Sequence, residues 1–242
     1  MKGIAAMMVV GMLLSGSTPS PVVAQPETAE ELVEVLLEQV GGRTAWADAT
    51  GFHMVEILHA AGLTLPAVRE YWVDFSARRI MEKTTTQSVH QLQALDRDTG
   101  WTLREGELER WSPDVVADWS SFWPGIPTRV FHLLASEDPS VSVQLRPGNR
   151  LDVHVDGRFA VWISTDDTGV PVAYGRAESH ALTHFLGRME DYGPVRLWTS
   201  AYEPGDEWRV TMVDYELFQG RLPVSYSPPA NRETHDPARI GT

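Results

Sequence analysis

The spacing of hydrophobic and polar positions changes at Gly51. Before it, "ELVEVLLEQV" (residues 31–40) repeats apolar residues at helical spacing, which predicts an amphipathic helix. Thr28 is a suitable N-cap for this helix, and Gly41-Gly42 is a suitable stop. After Gly51 the apolar positions alternate with a period of two, which predicts β-strands.

The strand-like runs continue almost to the end of the chain and are separated by short turns. Examples are "GFHMVEILHA", "VREYWVDF", "SVSVQL" and "EWRVTMVDYELF". Asp156-Gly157 and Glu105-Gly106 are hairpin turn signals. Strands in neighbouring order without alternating helices predict a mainly β (α+β) fold, an open curved antiparallel β-barrel of about ten strands. An N-terminal helix and a helical insert complete this predicted fold.

The segment "WSPDVVADWSSFWPGIPTRVFHLLAS" (residues 111–136) interrupts the strands with helical spacing. Ser112 and Pro113 are suited to the N-cap and first position of a helix. Pro124-Gly125 ends this helix, and "TRVFHLLAS" predicts a second one. The segment is therefore a predicted helical hairpin, here called the insert.

The aromatic side chains of the insert allow two interpretations. They are either part of the core, or the inner surface of a lid over an apolar pocket. Because several strands are apolar on both faces, we expect the N-terminal helix to cover one face and the insert the other. The predicted ligand-binding residues are Trp119, Phe122, Trp123, Phe131 and Leu134 from the insert, with Trp72 and Trp162 from the sheet.

The first 24 residues have the pattern of a secretory signal peptide. Lys2 precedes an uncharged apolar run, and small residues precede a predicted cleavage site after Ala24. We expect a periplasmic or secreted protein that is not an integral membrane protein after cleavage. Residues 25–220 are the predicted folded domain, and residues 221–242, which are rich in proline, are a predicted irregular tail.

Charge and composition exclude several function classes. The chain carries 20 Lys and Arg against 33 Asp and Glu, a net charge of −13, which disfavours nucleic acid as a partner. It contains no cysteine, which excludes disulfides, thiolate metal sites and a cysteine nucleophile.

The order of elements resembles the periplasmic lipoprotein-carrier family, which has the LolA/LolB-like fold. "FAVWISTDDTGVPVAY" (residues 159–174) is similar to a recurring strand pair of that family. The resemblance covers residues 27 to 218 and implies a hydrophobic cavity that binds acyl chains, without catalysis or cofactor. The membrane-anchored branch does not fit, because its lipidated cysteine is absent. The arginine that couples lid and barrel in the carrier branch cannot be assigned among Arg69, Arg78 and Arg79.

No motif for catalysis or for a metal is evident. His180 and His184 are four residues apart, which separates them by about 13 Å on a strand. Asp166-Asp167 lies in a turn composition, and no nucleophile elbow, phosphate loop or zinc-protease motif occurs. We therefore expect no catalytic residues, no metal site and no cofactor.

The leading hypothesis is an exported, non-enzymatic carrier that holds a lipid, acyl chain or other apolar ligand between sheet and lid. An alternative is a protein–protein interaction or sensing module of the cell envelope on the same fold. A third, a secreted hydrolase, requires a polar cluster in the cavity, for example His132 with a carboxylate.

Overall fold

The computed structural model describes residues 26–177, 183–205 and 208–229. The predicted signal peptide, His180 and residues 230–242 lie outside these residues. The helices are α1 (Ala29–Gln39), α2 (Arg43–Ala47), α3 (Pro113–Phe122) and α4 (Pro127–Ala135), with a 3₁₀ turn at Trp123–Gly125. The first strands are β1 (Gly51–Ala60), β2 (Ala67–Asp74), β3 (Arg79–Thr85), β4 (His90–Asp96), β5 (Thr99–Arg104) and β6 (Glu107–Arg110). After the insert follow β7 (Val141–Arg146), β8 (Arg150–Val155), β9 (Arg158–Thr165), β10 (Pro171–Gly175), β11 (Thr183–Leu186), β12 (Met189–Tyr192), β13 (Val195–Trp198), β14 (Ser200–Tyr202) and β15 (Trp208–Phe218).

In the described residues, thirteen strands form one sheet in the order β6-β5-β4-β3-β2-β1-β15-β14-β11-β10-β9-β8-β7. Neighbouring strands are antiparallel, and β12 and β13 form a separate hairpin. The sheet is curved and not closed, with β6 and β7 at its two edges. The predicted mainly β fold with an N-terminal helix and a helical insert is confirmed. There are more strands than expected, partly because "ALTHFLGRME" and "VRLWTSAY" each divide into two.

The turn and cap signals of the sequence are found in the structure. Glu105-Gly106 and Asp156-Gly157 join β5 to β6 and β8 to β9, and all four residues have positive φ angles. Thr28 Oγ1 accepts a hydrogen bond from the Glu31 amide at 3.1 Å, which caps α1. Local chemistry therefore sets where these elements begin and turn.

The main core lies between the helices and one face of the sheet, here called the helical face. Buried residues of α1, α2 and α4 belong to the same apolar cluster as Phe52 and Val161 of the sheet. α1 contacts α4 as well as β7 and β8. The expectation that α1 and the insert cover opposite faces is therefore wrong, because both pack on the helical face.

The other face, here called the outer face, is covered in part by the C-terminal segment. Met81, Ala94 and Trp101 form a second apolar cluster with Tyr226. Trp101 Nε1 donates to the Tyr226 carbonyl at 2.8 Å, and the Arg79 guanidinium lies 5.8 Å from the Tyr226 ring centre. Strands β3 to β5 are thus apolar on both faces because residues 222–226, here called the strap, cover the face opposite the helices.

The strap supplies a first prediction. Tyr226 is 7% exposed, so Tyr226→Ala should lower the free energy of unfolding by about 3 kcal/mol, because it leaves a cavity over Trp101. Urea unfolding followed by tryptophan fluorescence measures the change. Ser225→Ala, at the exposed neighbouring position, is the control. Equal stability of the two variants would show that the strap does not protect the second cluster.

Candidate functional site

Cross-strand rows on the helical face change from apolar to polar along the strands. The apolar row crosses β1 to β5 and consists of Phe52, Val73, Ile80, Leu95 and Gly100. The next row contains Tyr71, Glu82, Gln93 and Thr102, and the row after it contains Glu56, Arg69, Thr84, Gln91 and Arg104. A charged, hydrogen-bonding surface therefore adjoins the apolar surface on the helical face.

Helix α3 lies on the helical face, over the end of the apolar row that β4 and β5 form. Gly100 leaves room for the Trp111 ring, since a Cβ atom there would lie 1.9 Å from a ring carbon. Trp111 Nε1 donates to Thr102 Oγ1 at 2.7 Å, and the Trp111 and Trp119 ring centres are 4.9 Å apart. Trp111 thus fixes the start of α3 on β5.

The polar surface includes a connected set of side chains, here called the polar floor: Glu56, Arg69, Tyr71, Glu82 and Thr84. Arg69 forms an ion pair with Glu56, whose residue is only 5% exposed. The Arg69 guanidinium lies 5.3 Å from the Tyr71 ring centre, and Thr84 Oγ1 donates to Glu82 at 2.6 Å. Arg69 Nε is buried and has no hydrogen-bond partner within the described chain. The floor therefore contains one unpaired hydrogen-bond donor, Arg69 Nε, beside its carboxylates.

Burial controls the protonation of this floor. It raises the pKa of Glu56 above its ordinary value, although the Arg69 charge acts in the opposite direction. Burial also raises the pKa of Tyr71, and the Glu82 charge adds to that shift. Tyr71 therefore keeps its proton and can donate a hydrogen bond.

A second group of rings and charges, here called the side wall, consists of Tyr174 of β10, Arg176 just after that strand, His184 of β11 and Trp208 of β15. His184 has its ring centre 4.7 Å from that of Tyr174 and 5.1 Å from that of Trp208. Burial raises the pKa of Tyr174, and the charges of Glu56 and Arg69 also act on this group. Tyr174 belongs to the main core, so it lies on the same face of the sheet as the floor residues.

Phe122, the last residue of α3, meets the side wall. The Arg176 guanidinium lies 5.2 Å from its ring centre, and Phe122 remains 41% exposed. Leu63 and Leu65, in the turn between β1 and β2, are 42% and 45% exposed at the same end of the sheet. This end of the sheet thus combines an apolar rim, formed by Leu63, Leu65 and Phe122, with charged side chains, which is an arrangement suited to an amphipathic molecule.

The structure separates the predicted ligand-binding residues. Phe131, Leu134 and Trp123 are buried in the main core. Trp119 is partly buried and Phe122 exposed, so these two lie on the accessible part of the insert. The two predicted sheet residues, Trp72 and Trp162, are on the outer face: Trp72 stacks on His53 at 4.8 Å, and Trp162 lies against Arg150 at 5.0 Å. The sheet tryptophans are therefore not brought together with the insert.

A groove of about 420 Å³ lies beneath α3. Its lining includes Arg78, Asp98, Gly100, Arg110, Trp111 and Ser120. None of the seven predicted residues lines this groove, whose walls combine these charged side chains with the apolar Trp111, Pro113, Val116 and Ala117.

Other candidates from the sequence have structural partners. His132 Nδ1 donates to the Trp46 carbonyl at 2.9 Å, and its ring stacks on Phe75 at 5.1 Å. No group of three metal-ligating side chains occurs in the described ranges. Nor does any helix there have the length and apolar character required to cross a membrane.

The arginine that holds the insert is Arg43. Its Nη1 atom donates to the carbonyls of Leu134 and Ala135 at 3.1 and 2.8 Å, at the end of α4. Arg69 pairs instead with Glu56, Arg78 with Asp98, and Arg79 with Asp74 and Asp96. These three arginines connect sheet residues and turns, and α2 supplies the link to the insert.

No protein-family model matches the chain, and no curated protein matches it. Among solved structures, the chain is similar to the crystal structure of a DUF1329 family protein from Desulfovibrio piger, with a TM-score of 0.44 and 11% sequence identity. The alignment covers 79% of this chain and 92% of that one.

The sequence-based prediction missed the polar floor and the side wall. The available signal was the alternation in β1 and β2, where Glu56 and Arg69 share a strand face with Phe52 and Val73. A charge on the face that also supplies the core indicates that the helices stop short of that position.

The ion pair of the floor supplies a second prediction. Arg69→Met should lower the free energy of unfolding by about 3 kcal/mol, because it leaves the buried Glu56 carboxyl without its partner. Adding Glu56→Met should restore most of this loss. The control is Lys83→Met, which removes the exposed pair with Glu70 and should cost less than about 1 kcal/mol. Urea unfolding at pH 7 measures these changes, and equal losses in the two single variants would contradict the prediction.

The side wall supplies a third prediction. Burial and the nearby Arg176 charge lower the pKa of His184 from 6.5 to about 4, although Glu203 lies 3.7 Å from Nδ1. Between these two values the unfolded chain binds a proton that the folded chain does not, so stability falls as the pH decreases from 6.5 towards 4. His184→Gln should make the decrease in the free energy of unfolding over this pH range smaller by up to about 3 kcal/mol.

The measurement is urea unfolding at several pH values. His90→Gln, at an exposed strand position, serves as the control. If His184→Gln and the parent protein lose stability in parallel between pH 6.5 and 4, the side chain is protonated in the folded state.

Proposed function

We propose that this chain is an exported, non-enzymatic carrier that binds an amphipathic, acyl-chain-bearing ligand on the concave side of its sheet. The observation that carries the proposal is the division of the insert. α4 is buried in the core, whereas α3 has no buried residue and lies over β4 and β5, beside the partly exposed side chains of the polar floor. A fixed helix thus supports a peripheral one that can cover a ligand.

The contacts of α4 and α3 support these different roles. Seven residues of α4, including Val130 and Phe131, are buried, and Arg43 holds its last carbonyls. α3 instead touches β4 and β5, with Trp111 just before its start hydrogen-bonded to Thr102 of β5, while Phe122 at its end rests on Arg176. Displacing α3 would therefore leave the buried residues of α4 in place.

The polarity of the space favours an amphipathic ligand. An acyl chain gains about 0.8 kcal/mol for each CH₂ that it buries, which the apolar rim at Leu63, Leu65 and Phe122 can supply. A polar head group can then reach the charged floor. A purely apolar molecule would leave those charges desolvated without compensation.

The sequence supports the cellular setting of this proposal. The N-terminal signal pattern favours export, and the order of helix, strands, helical insert and strands resembles the lipoprotein-carrier fold. Lipids and lipoprotein acyl chains are accordingly the proposed ligands, in the periplasm or outside the cell.

A protein–protein module of the envelope is the second candidate. Val68, Phe185 and Val213 are between 39% and 55% exposed on β2, β11 and β15, and such side chains can contact another polypeptide.

Native mass spectrometry of the full chain purified from its host tests the proposal. We expect an adduct that organic extraction identifies as a lipid. The delipidated protein should bind lysophospholipids more tightly as their acyl chain lengthens, as seen in titration calorimetry. Protein that carries no lipid and binds no lysophospholipid would overturn the proposal. If affinity purification returned a stoichiometric polypeptide in its place, the second candidate would be favoured.

A matched pair of variants locates the binding surface. Phe122→Asp places a charge at the rim and should weaken lysophospholipid binding by about tenfold. Val115→Asp places the same charge at a similarly exposed position near the start of α3 and should have little effect. Equal weakening in both would indicate a general disturbance of α3.

A further inference from the structure

We propose that the polar floor recognises a zwitterionic head group, with the ammonium at Glu82 and the anionic oxygens at Arg69 and Arg176. This inference rests on the proposed function, because it assigns the polar end of the ligand whose acyl chain lies at the rim. The floor is a mixed cluster of charges and a ring on the helical face. Glu56 is buried, and Arg69, Tyr71, Glu82 and Thr84 are partly exposed.

Glu82 is the position for a cation. Its carboxylate accepts from Thr84 at 2.6 Å but has no ion pair within the described ranges, whereas Glu56 is paired with Arg69. Tyr71 lies directly across the β2–β3 pair from Glu82, and its ring already contacts the Arg69 cation. An ammonium at Glu82 would therefore meet both a carboxylate and an aromatic ring.

Arg69 and Arg176 are the position for an anion. The Nε donor of Arg69 is buried, and no acceptor for it is present in the described residues. Arg176 is exposed on the side wall, with its guanidinium over the Phe122 ring. A phosphate or carboxylate between the floor and this wall would satisfy the buried donor, and an unmade buried hydrogen bond is costly.

The charges around the space favour a ligand that carries both signs. Glu56 and Glu82 are balanced by Arg69 and Arg176, while Glu203 lies beside His184 at the wall. A singly charged anion would approach Glu82 unfavourably, and a simple cation would leave the Arg69 donor unsatisfied. A zwitterion carries no net charge. Its ammonium can pair with Glu82, and its anionic oxygens can pair with Arg69 and Arg176.

Titration calorimetry of the delipidated full chain with two lysophospholipids tests this inference. Lysophosphatidylethanolamine and lysophosphatidylglycerol with the same acyl chain differ in the ammonium group. We expect the ethanolamine form to bind about tenfold more tightly. Glu82→Gln should abolish this preference by weakening the ethanolamine form alone.

Glu70→Gln is the matched control, because Glu70 lies on the opposite face of the same strand pair and contacts Lys83. It should retain the preference. If Glu82→Gln does not fold, the parent protein still tests whether the head group is recognised, because the comparison of the two lipids needs no variant.

The outcomes separate the inference from the function on which it rests. Equal binding of both lipids by the parent protein would overturn the head-group inference while retaining an acyl-chain carrier. A preference that survives in folded Glu82→Gln would also overturn it. Failure of both lipids to bind would overturn the proposed function itself.

Discussion

The packing of α4 between the sheet and the other helices is the interaction on which the rest of the structure depends. Phe131 is fully buried, with its ring centre 5.2 Å from that of Trp46 and 6.3 Å from that of Trp198. This contact joins α4 to α2 and to the β12–β13 hairpin. A chain without disulfides relies on such apolar contacts to hold its layers together.

Placing all the helices on one face has a consequence for both sides of the sheet. On the helical face, the core covers the row that begins at Phe52. In the row that begins at the buried Glu56, the side chains of Arg69, Thr84 and Gln91 remain partly exposed. On the outer face, the strap covers Trp101 where no helix is available. The strap therefore completes the cover of the outer face. The proposed ligand would bind on the part of the helical face that the helices leave uncovered.

Sequence patterns identified the elements but not the faces. The cap at Thr28 and the hairpin at Asp156-Gly157 depend on neighbouring residues, so their local chemistry was sufficient to predict them. Whether Trp72 faces the insert depends on which face of the sheet the helices pack against. Alternation along a strand assigns residues to two faces and leaves that choice undetermined. The lid hypothesis consequently selected core residues such as Phe131 and outer-face residues such as Trp162.

The buried ion pair between Glu56 and Arg69 could serve the stability of the fold or the binding of a ligand. Replacing such a pair by apolar side chains is often neutral or stabilising, so stability alone is a weak reason for Glu56 and Arg69 to face the core side of a sheet. Their position beside an open surface, with the Arg69 Nε donor still unsatisfied by the described chain, gives a stronger reason. Charged groups held rigidly by strands are pre-organised for a ligand, because their desolvation is already complete when it binds. In the proposed carrier, the apolar rim would provide affinity through burial, and the charged floor would provide selectivity through the groups that must be paired.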